Sequence, residues 1–120
     1  YVVTKSLDQV VFKKPIAVGD LMTFKCNINY VGRTSMEVGI RVEGERIKEK
    51  KEYHAISSYF TMVSVDDDGK PMEVPRLELE SEIEKKLFEA GEMRCAMRKE
   101  IQERNNKLHV SLENWINIWK

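Results

Sequence analysis

A short turn between two predicted β-strands combines a glycine, an arginine and two hydroxyl residues. It lies in the segment YVGRTSMEV, residues 30–38, and consists of Gly32, Arg33, Thr34 and Ser35. A plain hairpin needs only a pair such as Asn-Gly that tolerates positive φ, and it has no use for an arginine. A guanidinium can bind phosphate through two hydrogen bonds, and glycine lets the backbone approach a ligand closely. The turn is therefore a candidate site for an anionic ligand or a neighbouring subunit; the alternative is an ordinary hairpin with a solvated arginine.

A second arginine, Arg76, directly follows Val74-Pro75 and is another candidate for binding phosphate. Its alternative role is that of a charge near the start of a helix. The aspartates of DDDGKPMEVPR, residues 66–76, suggest a calcium loop, but the glycine of that motif belongs at the sixth position and Gly69 comes too early. A polar turn is the better interpretation, and no metal site is predicted.

None of the possible nucleophiles has a recognisable partner in the sequence. Cys26 alternates with Phe24 and Ile28, so we expect it to be a small buried hydrophobic residue. Cys95 lies in a charged segment with no histidine near it in sequence, and a reactive thiolate there would depend on Arg94 or Arg98. His54 and His109 are not spaced for a Cys-His or Ser-His-Asp arrangement and are expected to be structural or solvent-facing.

Composition excludes several classes of protein. The 120 residues are 42% hydrophobic, which suits one compact domain. Lys+Arg and Asp+Glu are both 20, so the chain lacks the basic excess of a nucleic-acid-binding protein. No apolar stretch is long enough to span a membrane, and two distant cysteines outside any CxxC pair favour a reducing compartment. We therefore expect a cytoplasmic protein with neither nucleic acid nor a membrane as partner.

Hydrophobic periodicity predicts four strands, in residues 1–12, 21–31, 36–42 and 53–65. The second and third should pair as a hairpin, and the fourth should be central in a four-stranded antiparallel sheet. The charged stretch 43–52 is predicted to be a connection. The apolar face of the second strand is formed by Met22, Phe24, Cys26, Ile28 and Tyr30.

Strong helix formers predict a surface helix over residues 77–104, with Ser81 and Glu84 as a capping box. The tail, residues 105–120, carries Trp115 and Trp119, four apart and therefore on one face of any helix there. The predicted helix is too charged to cover an apolar sheet face well. Because the chain also starts inside a strand, we expect a hydrophobic helix upstream of Tyr1.

Three segments together resemble the acyl-coenzyme A thioesterases of the hotdog fold. They are VVFKKPIAVGD (10–20), VGRTSMEV (31–38) and FTMVSVDDDGKPMEVPRL (60–77), and the resemblance covers residues 2 to about 98. It implies an α+β hotdog fold, in which an antiparallel sheet wraps around a central helix that precedes the first strand of this chain. It also implies homodimers formed edge to edge, which often assemble into hexamers.

The resemblance implies hydrolysis of acyl-CoA to a free acid and CoA, as part of lipid metabolism. In the family an Asn or Asp near a Gly-Gly turn, upstream of or early in the central helix, activates the attacking water. No position of this chain matches it, so the catalytic residues are unknown and expected upstream of Tyr1; Asp8, Asp20 and Asp66 do not fit the motif. CoA enters as part of the substrate, and no cofactor is expected.

With CoA as the ligand that the resemblance implies, the chemistry of the side chains makes five residues candidates for CoA binding or a subunit interface: Gly32, Arg33, Thr34, Ser35 and Arg76. The predicted organisation is a sheet in residues 1–76, a charged helix in 77–104 and a tail in 105–120. Two alternatives to the hydrolase stay open. One is a non-catalytic acyl-CoA-binding or assembly module, and the other is a hydratase or dehydratase, for which no catalytic histidine is visible.

Overall fold

The computed structural model describes residues 1–108, which form four β-strands followed by a long α-helix. The elements are β1 (Val2–Phe12), β2 (Leu21–Val31), β3 (Ser35–Arg46), β4 (Lys51–Ser64) and α1 (Glu82–Leu108). The strands form an antiparallel sheet in the order β1-β4-β3-β2. The four predicted strands, the hairpin of the second and third, and the central place of the fourth are confirmed. His109, Trp115 and Trp119 lie outside the described residues.

The predicted bounds of one connection and of the helix are wrong. The charged stretch 43–52 is mostly strand, because β3 runs to Arg46 and β4 begins at Lys51, leaving only a four-residue turn, 47–50. The charged side chains at these paired ends of β3 and β4 reach solvent, so their charge does not prevent strand formation. The helix runs over Glu82–Leu108, so residues 77–80 are not helical, while residues 105–108, predicted to be part of the tail, are. The predicted cap is correct, since the Ser81 Oγ accepts a hydrogen bond from the backbone N–H of Glu84 (3.2 Å).

The sheet has one apolar and one polar face, which its register defines. Cross-strand neighbours on the apolar face are Leu7, Phe60, Val38 and Ile28; Val10, Ser58, Ile40 and Cys26; and Phe12, Ile56, Val42 and Phe24. Neighbours on the polar face include Ser6, Thr61, Glu37 and Tyr30, and Gln9, Tyr59, Gly39 and Asn27. Phe24 on the apolar face is 66% exposed, so the described residues leave that part of β2 largely open.

A β-bulge at Asn29 changes the predicted faces of β2. Ile28 pairs with Val38 but Tyr30 pairs with Glu37, so Asn29 is the extra residue and Tyr30 turns to the polar face. The prediction that Tyr30 shares a face with Cys26 and Ile28 is therefore wrong. The prediction that Cys26 is buried is also wrong, because its face of the sheet is open in the described residues and Cys26 is exposed.

Helix α1 packs against the polar face, through β2 and β3. The side chains of Tyr30 and Phe88 meet edge to face, with ring centroids 4.9 Å apart. The carboxylate of Glu37 forms an ion pair with Arg94. This placement agrees with the dense charge of α1, which makes it a poor cover for an apolar surface. Within residues 1–108, no helix combines the length and apolar character needed to cross a bilayer.

Candidate ligand groove

The Gly32–Ser35 turn is held firmly at the end of the sheet. The backbone N–H of Gly32 donates to the carbonyl of Ser35 (2.8 Å), which closes the turn. The carbonyl of Thr34 accepts from the N–H of Ser64 at the end of β4 (2.9 Å). The turn is thus tied to two strands besides β2, which fixes the position of its side chains.

The segment that contains Arg76 is bound to the same turn. The N–H of Val74 donates to the carbonyl of Arg33 (2.9 Å), and Val74 itself is buried, with 7% exposure. The Arg76 Nη2 donates to the carbonyls of Gly32 and Val74. Both of these bonds use the same nitrogen, so Nη1 and Nε of Arg76 can still donate to a ligand.

These elements enclose one side of an open groove of about 400 Å³. Its lining consists of Tyr30, Val31, Gly32, Arg33, Glu73, Val74, Arg76, Phe88 and Glu92. The arginines can bind phosphate groups, while the aromatic rings offer a flat apolar surface. The groove also contains two carboxylates, so it is suited to a ligand with donors as well as anionic groups.

Three of the five residues that the sequence singled out meet in this groove: Gly32, Arg33 and Arg76. Thr34 and Ser35 are not part of its lining. Ser35 instead lines a neighbouring cavity of about 310 Å³ together with Lys5 and Arg98. The ligand-binding role of all five residues stays a prediction.

Sequence reasoning missed the part of the groove that comes from α1. Phe88 and Glu92 are far from the turn in sequence, and on the helix they look like ordinary surface residues. The sequence pattern assigned Tyr30 to the apolar face of the sheet, because it gave no sign of the bulge at Asn29. The signal available was Phe88 itself, the one phenylalanine in a helix that is otherwise rich in charge.

A buried carboxylate lies next to the groove, beneath α1. The side chain of Glu37 is fully buried and receives Arg94 Nε at Oε2 (2.9 Å) and Arg94 Nη2 at Oε1 (2.6 Å). Asn29 Nδ2 also donates to Oε1 (3.2 Å). Burial alone would raise the pKa of Glu37, but these hydrogen bonds and the charges of Arg94 and Arg98 outweigh it and hold the pKa below its ordinary value.

The phenol of Tyr30 is protonated at neutral pH, as an unperturbed tyrosine also is. Burial raises the pKa of Tyr30 above its ordinary value, and electrostatic interactions with Cys95 and Glu92 act in the same direction. Arg76 and Arg98 act in the opposite sense but do not reverse the shift. Tyr30 can therefore donate a hydrogen bond to a ligand in the groove.

His54 and Ser57 come together in space, although their spacing does not predict it. The Ser57 Oγ lies 2.7 Å from His54 Nε2, and the same nitrogen is 3.2 Å from the carbonyl of Ile56. The two contacts compete for one nitrogen: Nε2 donates to the Ile56 carbonyl when it carries the ring proton and accepts from the Ser57 hydroxyl when it does not. The catalytic residues stay unassigned.

The aspartates that do not match the family motif have structural partners. Asp20 Oδ2 accepts from the N–H of Ala17 (3.1 Å) and from the hydroxyl of Tyr53, so the prediction of a turn-forming role is confirmed. Asp66 Oδ1 accepts two backbone N–H groups within its own turn. Residues 1–108 contain no cluster of side chains that could hold a metal ion. Asp8 accepts from Arg98 (2.8 Å) and Thr61 (3.2 Å).

Comparison with known proteins decides the family. The model of the Thioesterase superfamily matches residues 1–51. A structure of an acyl-CoA hydrolase mutant from Staphylococcus aureus in complex with coenzyme A is 35% identical, with a TM-score of 0.74; the match covers 92% of this chain and 68% of that one. The chain belongs to the thioesterase superfamily. Its neighbours within the superfamily are hotdog-fold acyl-CoA thioesterases, so the resemblance and the fold class are confirmed.

Two further proteins are similar to this chain. Protein VdlD of Helicobacter pylori is 50% identical over 96 residues, which are 80% of this chain and 55% of VdlD. An apo-hexameric acyl-CoA thioesterase is 40% identical, with a TM-score of 0.79, over 84% of this chain and 65% of that one. The chain thus spans about half the length of VdlD.

Proposed function

We propose that the protein to which this chain belongs is an acyl-CoA thioesterase, which hydrolyses acyl-CoA to a free acid and CoA. The observation that supports this proposal is the groove where Arg33 and Arg76 meet, in a member of the thioesterase superfamily. CoA carries phosphate groups, which an arginine binds through charge-assisted hydrogen bonds. The neutral overall charge fits a ligand that needs a few cations rather than a basic surface.

Arg33 and Arg76 have different parts in holding the phosphates. Within residues 1–108 Arg33 forms no ion pair and is exposed, so its guanidinium is available to a ligand. Arg76 is already oriented by the carbonyls of Gly32 and Val74. A preoriented guanidinium loses less conformational freedom when it binds a ligand. Arg76 therefore supplies a fixed contact and Arg33 a movable one.

The chemical step requires a water molecule to add to the thioester carbonyl. The water gives up a proton to a neighbouring base or to solvent as its oxygen bonds to the carbonyl carbon. The tetrahedral oxyanion then collapses, the C–S bond breaks, and CoA leaves as the thiolate, which takes up a proton. A carboxylate or amide that orients the water and N–H groups that stabilise the oxyanion are sufficient, because a thiolate is a good leaving group. Our proposal gives the groove residues the binding of the substrate and assigns none of them to its cleavage.

The proposal includes self-association and a cytoplasmic location. A homodimer, or a hexamer built from three dimers, agrees with the hexameric thioesterase that this chain resembles. The unpaired outer edges of β1 and β2 in the sheet of residues 1–108 are available for a second copy. The cytoplasm fits the two cysteines, which are both free.

The first experiment measures thiol release from acyl-CoAs of several chain lengths by the full-length gene product. Hydrolysis of at least one of them is expected. If the protein hydrolyses none but binds CoA, the enzyme proposal is wrong and the acyl-CoA-binding module is correct. If it neither hydrolyses nor binds CoA, both are wrong.

Arg33→Ala tests the groove itself. We expect KM for acyl-CoA to rise by about tenfold, the equivalent of about 1.4 kcal/mol, with little change in kcat, because the side chain contributes binding and not chemistry. Lys48→Ala is the matched control, since Lys48 is an exposed cation in the turn at the other end of β3. An unchanged KM for Arg33→Ala, with an unchanged oligomer, would show that Arg33 is a solvated hairpin residue.

A further inference from the structure

Helix α1 supplies a wall of the ligand groove, although it follows both groove arginines in sequence. Phe88 and Glu92 from α1 line the groove together with Tyr30 from β2 and the two arginines. The shape of the groove therefore depends on how α1 lies on the sheet. A shift of the helix would move Phe88 and Glu92 away from Arg33 and Arg76.

The contact that orients α1 is the buried ion pair between Glu37 and Arg94. Two parallel hydrogen bonds, of 2.9 Å and 2.6 Å, join the guanidinium to the carboxylate. This two-point geometry fixes direction as well as distance. Asn29 holds the carboxylate from the β2 side, and the guanidinium of Arg94 lies 3.9 Å from the centre of the Tyr59 ring.

A second ion pair continues the same contact one helical turn further on. Arg98 Nη1 lies 2.8 Å from Asp8 Oδ2 and 3.6 Å from Glu37 Oε2. The hydroxyl of Thr61 also donates to Asp8 (3.2 Å). Arg94 and Arg98 thereby connect α1 to β1, β3 and β4. The helix is held at several points across the sheet.

Gly91 brings the helix close enough for these bonds. It is the one buried residue of the described helix, and a Cβ atom there would lie 2.6 Å from Tyr30 Cβ. Phe88, Gly91, Arg94 and Arg98 recur at intervals of three or four, so they share one side of α1. Any rotation that breaks the Arg94 bonds therefore also turns Phe88 away from Tyr30.

We propose that Glu37 and Arg94 are positioning residues for substrate binding: their buried ion pair sets α1 so that Phe88 and Glu92 complete the acyl-CoA groove. This inference rests on the proposed function. Neither Glu37 nor Arg94 lines the groove, so both act through the helix. Loss of the pair should weaken binding of acyl-CoA and leave the cleavage step largely intact.

Arg94→Met in the full-length protein is the direct test. We expect KM to rise by about fivefold to tenfold, with kcat within about twofold of the wild type. Arg104→Met is the matched control, because Arg104 pairs with Glu100 on the same helix but at the exposed surface (2.7 Å) and should leave KM unchanged. A normal KM for a folded Arg94→Met protein would overturn the proposal.

A double substitution separates positioning from folding. Arg94→Met alone leaves Glu37 buried without its partner, whereas Glu37→Leu with Arg94→Met replaces both charges by apolar groups. Compared with Arg94→Met alone, the double variant should recover much of the wild-type unfolding midpoint in urea. Its KM should stay raised, because an apolar contact does not fix the direction of α1 on the sheet. Recovery of KM together with the midpoint would show a purely structural role.

A double-mutant cycle of Arg94 and Phe88 tests whether Arg94 acts on substrate binding through the position of the helix. Phe88→Leu should raise KM by itself, and Phe88→Leu with Arg94→Met should raise it by less than the product of the two single effects, since both act on one wall. If the two factors multiply fully, Arg94 does not act through that wall and the proposal fails.

Hydrogen exchange of the ligand-free protein makes the outcome independent of hydrolysis. The backbone amides around Gly91 should exchange faster in Arg94→Met than in the wild type or in Arg104→Met. Faster exchange in a protein that hydrolyses no acyl-CoA would refute the proposed function but retain the positioning role of the ion pair. Unchanged exchange would overturn the positioning role, whatever the activity.

Discussion

Replacing Gly91 by alanine should destabilise the protein, although alanine is the better helix former. Gly91 lies in the middle of α1, where a change from glycine to alanine normally stabilises by about 0.8–1 kcal/mol. Here the added Cβ would lie 2.6 Å from Tyr30 Cβ and 3.3 Å from Glu37 Oε1. Favourable carbon–carbon contacts begin at about 3.5 Å, so the helix must move outward by roughly 1 Å. Tyr30 Cβ is attached directly to the backbone of β2, so it cannot move away unless that backbone moves as well.

The expected loss is the difference between two opposing effects. Forcing an additional methyl group into a tight contact costs about 1–3 kcal/mol, which exceeds the gain in helix propensity. The net change is then a loss of about 1 kcal/mol. The outward shift also lengthens the bonds between Arg94 and Glu37, which adds to the loss because that carboxylate is fully buried.

Urea unfolding followed by circular dichroism measures this change. Ala96→Gly is the matched control, because Ala96 is exposed on the same helix and reports helix propensity alone. We expect both substitutions to lower the unfolding midpoint. If Gly91→Ala instead raises the midpoint by as much as Ala96→Gly lowers it, propensity alone governs the site and the close approach of α1 to β2 is not present.

Two further predictions concern ionisable groups. The pKa of Glu37 is lowered in the folded protein, so its contribution to stability is complete above the pKa of an unfolded glutamate, about 4.3, and is lost as the pH falls through the lower folded value. Glu37→Gln should therefore make the urea midpoint fall less steeply as the pH is lowered. An unchanged dependence on acid pH would contradict the lowered pKa of Glu37. The hydrogen bond from Tyr53 is the main cause of the lowered pKa of Asp20, ahead of the bond from the Ala17 N–H. Tyr53→Phe should therefore raise the pKa of Asp20 toward its ordinary value, which an NMR titration of the Asp20 carboxyl carbon measures. An unchanged pKa would show that the hydrogen bond from Tyr53 is not formed.

The sheet could be predicted from the sequence because each strand carries its own signal. Residues in β2 and β3 alternate with a period of two, and the composition of β4 is typical of a central strand. The face of Tyr30 could not be predicted, because the bulge at Asn29 contains no glycine to mark it. At the bulge Asn29 donates to Glu37, a contact between strands that the local sequence of β2 does not indicate.

The candidate groove was only half visible for a related reason. Arg33 stands out because its turn has no need of a charge, and Arg76 because it follows a proline. Glu37 gives no such signal, since on an alternating strand it looks like a residue that faces water. Only the arrival of Arg94 from α1 makes its burial favourable, and nothing in the local sequence connects these two residues.

The polar character of the contact between α1 and the sheet has a thermal consequence. Exposure of apolar surface raises the heat capacity and exposure of polar surface lowers it, so separation of α1 from the sheet should change the heat capacity little. The large apolar residues Met93, Met97 and Ile101 of α1 are already more than half exposed, so they add little to that change. Cooling weakens hydrophobic association, so an apolar partner packed on the Phe24 face would be held less tightly in the cold. The packing of α1 on the polar face should depend far less on temperature. This wall of the ligand groove should therefore keep its shape at low temperatures at which an apolar partner on the opposite face begins to dissociate.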